Sequence, residues 1–152
     1  MNRDMDDQQL YDRDFYAWPN EQAGLPRAGW LAEADIEHIA EEIESLGKSE
    51  KRELVSQLRI LQPHLLKWQV QPSHRSASWE VSIANNRDLL AVHLDDNPSL
   101  KTAIPVAMTQ AYRYAWREAA SETGLGSAMF PQSCPWDFDT IMDPDFWPEA
   151  TN

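Results

Sequence analysis

The residues of this chain best suited to chemistry are four histidines, His38, His64, His74 and His93, set among many carboxylates. Imidazole and carboxylate groups converging from separate helices can hold a divalent metal, and a carboxylate left beside it can act as a general base. His38 and Glu42 are four residues apart, so they share a helix face and could chelate from it. His64 and His93, with Glu50 as ligand or base, are the candidate metal set, because helical bundles place such side chains inward for this purpose. No pair has the tight spacing of a known metal motif, and no phosphate-binding glycine loop, nucleophile elbow, CxxC or HExxH occurs. No cofactor is predicted, and a divalent metal stays the alternative. Cys134, between Ser133 and Pro135, has no base close in sequence and reads as an ordinary thiol.

Those residues depend on one stretch, Asp35 to Gln69. At 100° per residue, Ile36, Ile39, Ala40, Ile43 and Leu46 share a face, and Leu54, Leu58, Leu61, Leu65 and Trp68 continue it in the same phase. The stretch is one long helix or two meeting near Gly47; a register preserved across Gly47 argues for one, with Asp35 as its N-cap and Pro63 bending it. Glu37, Glu41 and Glu44 point toward water. The seven-residue series Ile36, Ile43, Glu50, Gln57, His64 turns the stripe from apolar to polar. Buried groups of that kind need partners. They either line a polar pocket, completed by Arg75 and Trp79, or form a core hydrogen-bond network.

Length and composition narrow the class. A chain of 152 residues, 42% hydrophobic with seven Trp, can bury a core without disulfides and is expected to fold as one domain over residues 10–148, after a mobile segment 1–9. The net charge of −12 is uneven: residues 1–50 hold 13 acidic and 4 basic side chains, residues 51–100 hold 5 and 6. An acidic first third disfavours nucleic acid there. The middle third, through Arg52, Arg59, Lys67, Arg75 and Arg87, is the place for an anionic ligand, although helix surfaces usually carry such charges. The acidic start does not resemble a signal peptide, and no apolar run nears the roughly 18 residues of a membrane span, so a cytoplasmic location is expected.

The remaining chain reads as helices. A short helix from Gln8 to Trp18, capped by Asp6 or Asp7 and ended by Pro19, precedes a second from Asn20 to about Ala28, which Gly24 and Pro26 weaken. Aromatic residues here should clamp the N-terminal arm. Ser76 or Ser78 caps a helix from Trp79 to Asp96 with Trp79, Ile83, Asn86, Leu90 and His93 or Leu94 inward. The last long helix spans Leu100 to Thr123, with Pro105 as a kink and Gly124 as its stop. Its face of Leu100, Ala103, Ile104, Ala107, Ala111 and Tyr114 would either pack inside the monomer or support a homodimer or partner helix. Ser133 reads as the cap of a terminal turn, Pro135 to Met142, and Phe146 and Trp147 should fold back onto the body. No strand of useful length appears. The fold class is all-α, an antiparallel helical bundle of three to four main helices with short helices at both ends.

The segments LYDRDFYAW, EEIESLGKSEKREL, HLLKWQVQP with RSASW, YRYAWREAASETGL and FPQSCPW occur in this order. Together they resemble the bacterial family called domain of unknown function twenty-nine, over about Leu10 to Pro148. The resemblance implies a short, single-domain helical protein, of a kind known mostly from cyanobacteria and proteobacteria. It supplies no catalytic residue. Gly24-Leu25-Pro26 stands where a plain helical stretch is the family's pattern. The functional expectation is a small helical binding or regulatory module without catalysis, with a protein partner or a second copy. The alternative is a metal-dependent bundle enzyme.

Overall fold

The computed structural model describes residues 3–151. Among them are six α-helices and no strand: α1 (Arg3–Arg13), α2 (Ala17–Arg27), α3 (Ile36–Val70), α4 (Ala77–Asp96), α5 (Ile104–Thr123) and α6 (Phe138–Met142). The all-α helical class read from the sequence is the class of the structure. The contacts of the chain cluster into two compact units, Met1–Lys48 and Ser49–Asn152, with the division falling within α3.

In the N-terminal unit, Pro19 does not end a helix. It lies in the first turn of α2, where a backbone N–H has no helical acceptor, so its missing donor costs nothing. The first helix correspondingly lies earlier than expected, and residues 3–9 of the segment expected to be mobile belong to it; residues 1 and 2 lie outside the described residues. Asp14 accepts from the Ala17 N–H at 2.9 Å and starts α2. Pro26 is tolerated near its C-terminal end, and Gly29, at φ +80°, turns the chain out of it.

The C-terminal unit holds the main core. Leu54, Leu58, Leu61 and Leu65 of α3 pack with Ile83, Leu90 and Leu94 of α4 and with Ala107 and Ala111 of α5. A second cluster sets Leu66 against Tyr112, Ala115 and Ala119 of α5 and Phe130. At its middle, α3 meets the end of α4 (Glu50 with His93), and near its end the start of α4 (Lys67 with Trp79), so these helices are antiparallel. Gln62 bonds the Met108 carbonyl, and Gln71 bonds that of Thr123, so α3 and α5 run the same way. The result is an up-down-up bundle of three long helices.

The 35-residue α3 runs unbroken through Gly47 and Pro63, as the conserved phase predicts. Ser76 caps α4 by accepting from the Trp79 N–H. Gly124, at φ +69°, ends α5. Pro105 does not kink α5, because a 3-10 turn over Pro98–Ala103 precedes the helix and leaves Pro105 in its first turn. Asp137, not Ser133, caps the terminal helix, accepting from the Thr140 N–H at 2.8 Å, and α6 is confined to Phe138–Met142. Trp147 and Phe146 do fold back, with ring centroids 4.7 Å from Trp68 and 5.7 Å from Trp136.

One expectation about α3 needs correction. The apolar stripe is core only from Leu54 onward. Ile36, Ile43 and Leu46 are 60%, 63% and 65% exposed. Sequence phase shows which residues share a face but not whether another element covers it.

Candidate functional site

The five residues of the expected polar pocket are each held by a different set of partners. The His64 imidazole donates through Nδ1 to the Ile60 carbonyl one turn back, at 2.7 Å, and burial lowers its pKa. Gln57 donates to Glu53 at 2.8 Å. Arg75 donates to the carbonyls of Trp68 (2.8 Å) and Pro148 (3.3 Å) and lies over the Trp68 ring. Trp79 receives the Lys67 ammonium on its face, 5.0 Å from the ring centre. Glu50 meets His93: the imidazole Nε2 is 3.0 Å from the Glu50 carbonyl and 3.5 Å from its carboxylate. Two members of the candidate metal set, His93 and Glu50, are thus together. His64 has Nδ1 occupied by its own helix. Among the described residues, no group of three or more His, Cys, Asp or Glu side chains is placed to hold a metal ion.

The alanine-rich face of α5 is likewise committed. Leu100, Ala107, Ala111, Ala115 and Ala119 are buried in the core of the C-terminal unit. Cys134 lines a cavity of about 560 Å³ with Met108, Tyr112 and Trp136. Burial raises its thiol pKa, against formation of the thiolate, which fits the ordinary-thiol reading. Burial also pushes the Tyr112 hydroxyl up to about 12, and it donates to the Pro131 carbonyl.

The densest polar constellation lies in the N-terminal unit, where only His38 and Glu42 had been singled out from the sequence. Asp35 is its centre. One carboxylate oxygen caps α3, accepting from the His38 N–H at 3.4 Å. The other is 2.6 Å from His38 Nδ1 and accepts from the Trp18 indole N–H at 3.3 Å. The Asp35 N–H donates to Gln22 at 2.7 Å. His38 stacks on Tyr11, centroids 4.0 Å apart, and Tyr11 donates a short hydrogen bond to Glu42. The Asp35 bond raises the His38 pKa, outweighing the opposing effect of burial. The bond to Glu42 pushes Tyr11 up to about 12. So His38 and Glu42, expected as joint chelators, each take a different partner. The sequence marks Asp35 only as a cap and gives Tyr11 no role in a site. Their long-range pairing left no local mark in the sequence.

An imidazole held by a carboxylate is the arrangement of a general base. Here the ring is stacked on Tyr11 and met edge-on by Trp18 at 6.3 Å, and the side chain is 12% exposed. This network holds α1 and α2 on the first turns of α3, and it forms one border of an open apolar groove of about 560 Å³. Phe15, Trp18, Pro19, Ala23 and Pro26 line one side of the groove; Ile39, Glu42, Ile43 and Leu46 line the other. Glu37, Glu41 and Glu44 are exposed along the same part of α3. Glu42 is the acid in the groove's wall, and an apolar groove in a unit of this charge can bind an apolar surface that carries cations.

No helix among the described residues is long and apolar enough to cross a membrane. No curated protein and no solved structure matches the chain. The family model that does match spans residues 10–147, from α1 through the returning tail, so it takes in the groove as well as the bundle core. The chain therefore belongs to the family described as domain of unknown function DUF29.

Proposed function

We propose that this protein is a non-catalytic binding module whose N-terminal groove receives a cationic amphipathic helix from a partner protein. One observation carries the reading: the Ile36–Leu46 stripe of α3, helical in spacing and bordering the groove, faces solvent. A helix laid into a groove is recognised through anchors at this same spacing. Charge selects the occupant. Residues 1–48 carry 12 acidic and 4 basic side chains, so a second copy would bring like charge to the same face, whereas a basic helix would complement it.

Calorimetric titration with a synthetic Leu–Lys amphipathic peptide of about 18 residues tests this. Micromolar binding is expected, with none to the Leu–Glu analogue and a loss of roughly tenfold or more in the Ile43→Ser, Leu46→Ser double variant. Those positions are exposed, so the variant should fold. Unchanged binding in the variant would sink the proposal. So would a doubled mass by light scattering that the variant abolishes, which would make the occupant a second copy.

A further inference from the structure

We propose that the C-terminal unit contains a second, independent site, which binds a small ligand carrying two or more linked phosphate groups. Between α3 and α5 lies a cavity of about 480 Å³ onto which Lys51, Arg52, Arg59 and Arg113 converge, and no carboxylate lines it. Ser56 and Gln110 add uncharged donors at its wall. Helical spacing explains the convergence. Lys51, Val55 and Arg59 are four apart on α3, as are Arg52 and Ser56, while Gln110, Arg113 and Tyr114 lie within one turn of α5.

Arg59 is pre-positioned: it donates to Glu118 at 3.1 Å, and its guanidinium lies 4.1 Å from the Tyr114 ring centre. Lys51, Arg52 and Arg113 make no ion pair with any of the described residues, although the chain carries 25 carboxylate side chains. Cations gathered around a cavity and left without counter-charge repel one another, and a bound anion relieves that repulsion. The other cations of the middle third are already engaged: Lys67 by Glu122, Arg75 and Arg87 by backbone carbonyls. A single phosphoryl group carries about −1.5 to −2 at pH 7, which two cations balance, so the three without an ion pair, with Arg59 beside them, match a ligand with more than one. The net charge of −12 disfavours a long polyanion tracking the surface but leaves a compact one free to enter.

The test is titration of the full chain with inorganic tripolyphosphate, and separately with a nucleoside triphosphate, at fixed ionic strength. Saturable binding at one site is expected, weakened ~tenfold or more in Arg52→Gln, Arg113→Gln. Both positions are exposed, and an unchanged melting temperature without ligand would show that the variant folds. Lys101→Gln, an exposed cation outside the cavity, should bind as the wild type does. Equal affinity for the two ligands would assign recognition to the phosphates alone. Tighter nucleotide binding would add the base, which Tyr114 could stack. The proposal is overturned by a response no greater than that to sulfate at matched ionic strength, by binding that survives the double variant, or by an equal loss in Lys101→Gln.

Discussion

At the scale of single residues, Asp35 shows how one carboxylate can organise a whole unit. It caps α3, receives the Trp18 indole and holds the His38 imidazole. Because its bond raises the His38 pKa, the protonated ring is favoured in the folded state. The stability this contributes is fully present below the unfolded value of about 6.5 and disappears as pH rises through the higher folded value. His64 has the opposite sign, since burial lowers its pKa. A comparison of wild type with His38→Gln therefore isolates the first effect. The difference in melting temperature between them should shrink as pH rises from about 6 to about 8.5. A pH-independent difference would remove the protonated His38–Asp35 pair from the account.

At the scale of elements, α3 has one register and two environments. From Leu54 to Leu65 its stripe is fully buried; from Ile36 to Leu46 the same stripe faces solvent. The two halves should answer truncation differently. Leu58→Ala leaves a cavity in packed surroundings and should cost about 2–5 kcal/mol. Ile43→Ala removes methyl groups already in contact with water and should change stability by less than about 0.5 kcal/mol. Urea denaturation of both variants measures this. Equal losses would mean that the first half of the stripe is covered in solution. The α5 alanines illustrate the converse: small residues that could have served a partner are taken up by the core of the C-terminal unit.

At the scale of the molecule, the C-terminal unit is closed by a residue whose role its surroundings alone reveal. Arg87, 5% exposed on α4, donates to the Ile141 and Phe146 carbonyls, each at 2.7 Å, and lies 5.3 Å from the Trp147 ring centre. It ties the returning tail to the bundle. Arg87→Met would strand those carbonyls and should destabilise by about 2–4 kcal/mol. Arg87→Lys, a point charge without the planar fork, should recover only part of that. Chemical denaturation would show the loss, and early proteolysis after Met142 would show the tail released. Wild-type stability in Arg87→Met would contradict the closure. The molecule also separates its charge, with an apolar groove in the acidic unit and a cavity lined by four cations in the other. The two proposed ligands accordingly have opposite sign.

The helical class, the unbroken α3, the cap at Asp35, a serine cap for α4 at Ser76 or Ser78, the stop at Gly124 and the return of Phe146 and Trp147 were legible in the sequence, because each rests on local periodicity or on a backbone preference within a few residues. So was the wealth of cations in the middle third. The sequence could not say which stretch of a continuous stripe would be covered, that Asp35 would gather Trp18, Gln22 and His38, or that Arg113 of α5 would join Lys51, Arg52 and Arg59 of α3. Those outcomes belong to the tertiary structure, because burial and charge convergence depend on which helices become neighbours, and helical phase carries no information about the neighbour.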